Sequence, residues 1–256
     1  MAEQRSNPEQ LVLAIVGDGR AGGALARAAR DAGIEVSVAG REGIAAAAEG
    51  AGAALLCVPD DEIDAACGAL LEHGVPAFVG HVSGATPLNA LAPASRAGAE
   101  VFSLHPLQTI PDPETDLTGA PCAVGGSSPP GLEFATDLAQ RIGMRPFPVD
   151  DAARTAYHAA ASIASNFLVA LEESAAELLA GAGVDDAREL LAPLVLRTAA
   201  NWSERGAGAL TGPIARGDEA TVERHLAELR ERAPELVPLY EALAERTREL
   251  AAERAR

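Results

Sequence analysis

Residues 11–33, LVLAIVGDGRAGGALARAARDAG, decide the fold. The run LVLAIVG (11–17) is apolar throughout and ends in glycine, which suits a short strand buried on both faces of a parallel sheet. A helix is expected from about Ala21 to Ala32, with Gly33 as its C-cap. Between them stands Gly17-Asp18-Gly19-Arg20-Ala21-Gly22, the pattern G-x-G-x-x-G. Alone that pattern is weak. Directly behind a buried strand and at the opening of a helix, it has a physical logic. Gly17 permits the tight turn, Gly19 lets backbone approach a pyrophosphate, and Gly22 lets the helix pack closely. The helix N-terminus turns free N–H groups and a positive dipole end toward the phosphates. The competing reading is a glycine-rich turn that binds nothing.

Moving outward, IEVSVAG (34–40) reads as a second strand and is followed by Arg41. A carboxylate at this place would pair with a ribose 2′-hydroxyl and mark NAD. An arginine matches a 2′-phosphate and marks NADP, unless Arg41 simply faces solvent. Glu42, one residue later, blurs the distinction. AALLCV (53–58) is the next strand, and its end at Val58-Pro59 should pass near the cofactor, since ligands lie at strand C-termini. Asp60 is either part of that edge or the cap of the next helix. Further strands are expected at 75–83, 100–104, 121–126 and 144–149, with helices over 60–74 and about 130–142. The alternation implies an α/β fold, a doubly wound parallel sheet of the Rossmann kind with helices on both faces.

Composition narrows the chemistry. The 256 residues carry 20 basic and 37 acidic groups, a net charge of −17, which makes nucleic acid and anionic membrane poor partners. No apolar run approaches the roughly 20 residues of a membrane span, and the polar first ten residues show no secretory pattern. All 20 basic residues are arginine. Without lysine there is no Schiff base and no lysine acid. The three cysteines (Cys57, Cys67, Cys122) form no Cys-x-x-Cys pair, which favours reduced thiols and a cytoplasmic protein. No His or Cys spacing suggests a metal.

After Asp150 the texture changes. Residues 151–180 contain neither Pro nor Gly and keep helical periodicity, so one helix of about 30 residues, roughly 45 Å long, is expected. Helices follow over about 185–204, 217–232 and 234–254. The chain is therefore divided into a dinucleotide-binding domain, 1–150, and a helical substrate and dimerisation domain, 151–256. The Ala-rich apolar surface of the long helix predicts a homodimer.

A dinucleotide domain joined to a helical one suggests hydride transfer, with substrate in the cleft between them. Reducing a carbonyl needs a proton donor, and with lysine missing His is the first candidate. His105 lies just past a strand and is fixed by Pro106; His81 and Ser83 end another strand in HVSG. His73 and His225 read as structural or solvated. On the long helix Arg154, His158, Ser162 and Asn166 are spaced by four and form one polar line among apolar neighbours. Such a line is costly unless it faces a ligand or is paired within the fold. Leu210–Asp218 holds a Gly-Pro pair, with Thr211 and Arg216 placed to grip an anionic substrate or to sit in an ordinary loop.

GDGRAGGAL (17–25), VPDDEI (58–63), HVSG (81–84), SLHPLQT (103–109), YHAAASIASNFLVAL (157–171) and LTGPIARGD (210–218), in that order, resemble a family of bacterial Rossmann-like proteins whose C-terminal half is a domain of unknown function. The resemblance covers nearly the whole chain. It implies a branch of the 6-phosphogluconate-dehydrogenase-like reductases, with a helical C-terminal domain that dimerises. Relatives of that branch include ketopantoate reductases, 3-hydroxyisobutyrate dehydrogenases, prephenate dehydrogenases and pyrroline-carboxylate reductases. In the ketopantoate and hydroxyacid enzymes a lysine on the first long helix of the second domain is the acid, with an asparagine a turn or two later. Here His158 replaces that lysine, Asn166 is kept, and an imidazolium can donate a proton as well. In prephenate dehydrogenases a His-Pro pair after a strand is catalytic, which corresponds to His105-Pro106.

The resemblance therefore implies an NADPH-dependent reductase of a small carboxylate-bearing ketone. Ketopantoate, in pantothenate biosynthesis, is the best single substrate. His105 or His158 would be the acid, and Ser83, Ser162, Asn166, Thr211 and Arg216 would orient substrate. The alternatives are an imine reductase or prephenate-type dehydrogenase on the same scaffold, and a non-catalytic NADPH-binding sensor. Catalysis predicts polar groups converging at the cleft, whereas a sensor predicts an apolar or closed one.

Overall fold

A computed structural model describes residues 11–40 and 42–254 of the chain. The expected first strand is β1, Val12–Val16, and the helix behind it is α1, Arg20–Asp31. Then come β2 (Glu35–Ala39), a short α2 (Ile44–Ala48), β3 (Ala53–Leu56), α3 (Ile63–Leu70), β4 (Phe78–His81), α4 (Ala92–Arg96) and β5 (Glu100–Pro106). The unit continues with β6 (Pro121–Gly126), α5 (Pro129–Arg141) and β7 (Arg145–Pro148). The seven strands form one sheet in the order β2-β1-β3-β4-β5-β6-β7. Because β2 and β3 lie on opposite sides of β1, the winding reverses between β1 and β3, and a crevice opens there at the strand C-termini.

The burial pattern shows why the sheet is covered on both faces. All four residues of β3 are buried, and they divide by parity. Ala53 and Leu55 join a core with Leu25 and Ala29 of α1 and Leu138 and Ala139 of α5. Ala54 and Leu56 join a second core with Ile63, Cys67 and Leu70 of α3 and Ala94 of α4. Each fully buried Leu or Ile contributes about 1.5–3 kcal/mol relative to an exposed one.

The sheet departs from the expected parallel arrangement at one place. β6 runs antiparallel to β5, and β7 then runs parallel to β6. A parallel return would need a crossover, and the connection from Leu107 to Ala120 contains no helix to make one. The result is a mostly parallel sheet with an antiparallel edge.

The expected 30-residue helix is two helices, α6 (Arg154–Ala164) and α7 (Asn166–Gly181), broken at Ser165, whose backbone sits at φ −124°, ψ −74°. Neither Gly nor Pro marks the break. Ser165 and Asn166 are residues whose short polar side chains compete with helical backbone bonding. The chain divides into two compact units between Ile163 and Ala164. The first turns of α6 therefore belong with the sheet. The second unit is helical: α7, α8 (Ala187–Arg205), α9 (Gly212–Arg216), α10 (Glu219–Arg232) and α11 (Val237–Arg254). No described helix is long and apolar enough to cross a membrane.

Candidate functional site

Two groups of residues gather at the C-terminal ends of the sheet strands. The first surrounds the switch between β1 and β3. Gly17 has φ +107°, a conformation open chiefly to glycine, and a side chain there would fall on the Cys57 carbonyl. A side chain on Gly22 would fall on the Gly17 carbonyl, so the helix can start this close only because the residue is glycine. At Gly19 the position of a side chain is open, with no atom within 4 Å. The turn is tied down by Gly17 N–H donating to Ala39 O (2.7 Å) and Cys57 N–H donating to Val16 O (2.6 Å). No side chain caps the first turn of α1, which leaves its N–H groups available. The crevice, about 500 Å³, is lined by Gly17, Asp18, Gly19, Gly40, Val58, Pro59 and their neighbours. These residues fit a dinucleotide, because backbone donors border a cradle that a side chain at Gly19 would occupy. Arg20 and Ala21 form the first residues of α1. Arg41 lies outside the described residues.

The second group lies at the ends of β4 and β5. Arg154, on the first turn of α6, is almost fully buried. Its Nε donates to Asp151 Oδ1 (3.1 Å), its Nη1 to the Ser83 carbonyl (3.2 Å) and its Nη2 to Ser103 Oγ. Asp151 in turn accepts from Leu88 N–H at 3.0 Å. The guanidinium is thus a strut fastening α6 to the loop after β4 and to β5, and its place on the polar line is satisfied within the fold. Ser83 is also committed locally, because its Oγ accepts from Thr86 N–H (2.9 Å) and Ala85 N–H (3.2 Å) and donates to Thr86 Oγ1 (2.9 Å).

The strut sets the register of α6 and brings Tyr157 and His158 to His105. Tyr157 Oη is 2.6 Å from His105 Nδ1. The rings of His105 and His158 lie edge to face with centroids 6.0 Å apart. Gly84 stands between them. A side chain on it would come within 2.7 Å of His158 Nδ1 and 2.9 Å of His105 Nε2, so both imidazoles can pack this close to the backbone only because the residue is glycine. His158 Nδ1 is buried without a hydrogen-bond partner among the described residues, as are both ring nitrogens of His81 on β4. Burial lowers the His105 pKa to about 4, helped by His158 and Arg154. Burial, again with Arg154 nearby, lowers that of His81 to about 4. His105 therefore rests as a neutral ring at pH 7. Burial pushes the Tyr157 hydroxyl up to about 12.

Ser162 is half-buried on α6. Asn166, Thr211 and Arg216 belong to the second unit, where all three are exposed. His225, expected to be structural or solvated, bonds Tyr240 Oη at 2.8 Å on the exposed surface. No described cluster of three or more His, Cys, Asp or Glu could hold a metal. Sequence reasoning missed Tyr157, Gly84 and Ser103. One signal was available: with only two tyrosines in the chain, one stands directly beside His158.

Residues 120–247 match a family described as Domain of unknown function (DUF2520). Among curated proteins none matches the chain. Among solved structures it is similar to protein BF3122 of Bacteroides fragilis, proposed to be an NADP oxidoreductase: 23% identity, TM-score 0.78, covering 94% of this chain and 99% of that one. It is also similar to protein TM1727 of Thermotoga maritima, with 25% identity and a TM-score of 0.77 over 95% and 100% of the two chains. A reductive aminase of Aspergillus terreus, solved with NADPH and ethyl levulinate, has 22% identity and a TM-score of 0.64 over 93% of each chain. These likenesses show the fold: a Rossmann-like sheet followed by a helical C-terminal region.

Proposed function

This chain belongs to the DUF2520 family, and we propose that it is an NADPH-dependent oxidoreductase that reduces a small ketone bearing a carboxylate, with 2-dehydropantoate (ketopantoate) the best single substrate. The observation that carries the reading is the approach of His105 and His158 to each other across Gly84, with Tyr157 bonded to His105. It lies on the same sheet edge as the phosphate loop. A non-catalytic sensor would have no use for two half-buried imidazoles with unsatisfied nitrogens at that edge. The NADP-binding neighbours support the cofactor, as does the fit of residues 17–22 with Val58 and Pro59 to a dinucleotide.

When bound, the nicotinamide supplies the hydride. The chain's own residues supply the rest. The backbone N–H groups at the start of α1 hold the pyrophosphate, and Arg41 holds the 2′-phosphate. His105, neutral and donating from Nε2, polarises the substrate carbonyl, as a neutral imidazole can when a charged one is too costly to bury, and the alkoxide that hydride addition would leave takes its proton from solvent water. His158 is the second candidate for that role. Ser162, Asn166, Thr211 and Arg216 are proposed to bind substrate on the strength of the sequence.

The test is oxidation of NADPH against a panel of 2-oxo acids that includes ketopantoate, with a cyclic imine and prephenate as the competing substrate classes. Turnover of ketopantoate with NADPH, at least tenfold faster than with the other classes, is expected. Arg41→Ala is expected to weaken NADPH binding by on the order of 1.5–3 kcal/mol while leaving NADH nearly unchanged. Equal affinity of the unmutated protein for the two cofactors, measured by titration, would remove the argument from Arg41.

We also propose a homodimer formed through the helical unit. Phe167 and Val169 of α7 and Leu190, Leu194, Leu196 and Trp202 of α8 are exposed, Leu196 at 71% and Trp202 at 65%. Large apolar side chains in such a concentration on two consecutive helices mark an association surface. Light scattering at micromolar concentration should give about twice the 26.1 kDa chain mass. A mass of one chain refutes the dimer.

A further inference from the structure

We propose that Tyr157 is a positioning residue: its hydroxyl donates to His105 Nδ1 and so fixes that ring as the tautomer carrying its proton on Nε2, the nitrogen on the Gly84 side of the ring. The direction of the hydrogen bond follows from three observations. At 2.6 Å it has the length of a bond donated by a hydroxyl, whereas those donated by a ring N–H centre nearer 2.9–3.0 Å. Among the described residues the Tyr157 hydroxyl has no other acceptor, so a bond in the opposite sense would leave its proton unpaired in a half-buried site. Burial holds the phenol pKa up at about 12, so the proton stays on the oxygen throughout the working pH range.

A neutral imidazole carries a single proton. With Nδ1 accepting, that proton must be on Nε2. His105 Nε2 has no hydrogen-bond partner among the described residues and is not wholly shut off from solvent. The donor is therefore unspent within the fold and left for a ligand oxygen. Tyr157 is held for this task from two sides. Its ring packs edge-on against Phe147 (centroids 6.1 Å apart) and against His105 (5.5 Å). Three residues earlier on the same helix, Arg154 is clamped to Ser83, Ser103 and Asp151, which fixes the height of α6 along β5.

The effect on turnover rests on the proposed role of His105 at the carbonyl; the tautomer itself does not. The experiment separates the two. Full-length protein labelled with 15N-histidine, without cofactor or substrate, is observed at pH 7.5 by two-bond 15N–1H correlation. The His105 ring signals are assigned by their loss in His105→Gln. The wild-type ring is expected to show a protonated Nε2 and an unprotonated Nδ1, and Tyr157→Phe to shift it to a mixture of tautomers. The same variant should lose about five- to tenfold in kcat with KM within threefold, the scale of one hydrogen bond. A wild-type ring protonated on Nδ1, or a tautomer unchanged in Tyr157→Phe, overturns the proposal. The wild-type spectrum decides even if Tyr157→Phe does not fold. If the tautomer shifts and kcat does not, Tyr157 keeps its positioning role and the assignment of His105 to the carbonyl is what fails.

Discussion

His105→Ala is expected to lower kcat for ketone reduction by about 10²–10³, the range for losing a hydrogen-bond donor to the developing oxyanion. The same substitution at His158 should separate the two imidazoles. His105 is bonded to Tyr157, so its removal also strands a hydroxyl and should lower stability by about 1 kcal/mol. His158 Nδ1 has no partner among the described residues, so His158→Ala breaks no hydrogen bond at that atom and should cost less stability. The larger kcat defect then identifies the residue at the carbonyl, and a defect confined to KM marks one that only holds substrate. Steady-state kinetics beside thermal melts give both readouts. If each variant keeps kcat within tenfold while its melting temperature falls, these are structural histidines and the assignment is wrong.

The parts of this molecule written in local sequence were legible, and the parts that depend on distant partners were not. Gly17 to Gly22 could be read because each glycine answers a constraint within a few residues of itself, and Cys57, on which Gly17 packs, ends a strand that is equally plain. The antiparallel β6 was hidden because strand direction is set by the connection, and residues 107–120 show only that they are not a helix. Spacing by four placed Arg154, His158 and Ser162 on one helix face correctly, yet it could not say which member faces a ligand. Arg154 is consumed by Ser83, Ser103 and Asp151, two of which are more than 50 residues away in the chain. The break at Ser165 leaves Asn166 on another helix, although nothing between 151 and 180 is a strong breaker. Tyr157 was overlooked because a search for proton donors looks for histidine and not for the group that orients it.

Acid should destabilise the protein well above the carboxylate range. His81 is fully buried with both ring nitrogens unpaired among the described residues, and His105 is half-buried. Both have pKa values lowered from 6.5 to about 4, first by burial. Arg154 and His105 oppose a proton on His81, while Asp60 and Asp151 favour it; His158 and Arg154 oppose one on His105, while Asp60 favours it. Between pH 6.5 and about 4 the unfolded chain binds protons that the folded chain refuses, so stability is complete above about pH 6.5 and falls as the pH drops through this window. By pH 5 each histidine should have lost about 2 kcal/mol, on the scale of 1.36 kcal/mol per pKa unit. Urea unfolding at pH 7.5 and pH 5 measures the sum. His81→Leu replaces two unpaired buried nitrogens with apolar surface of similar size, so it should hold or raise stability at pH 7.5 and remove its own share of the acid loss. If the unfolding free energy of the wild type is the same at both pH values, these imidazoles are not held neutral by burial, and a resting imidazolium at His105 becomes the better description of the site.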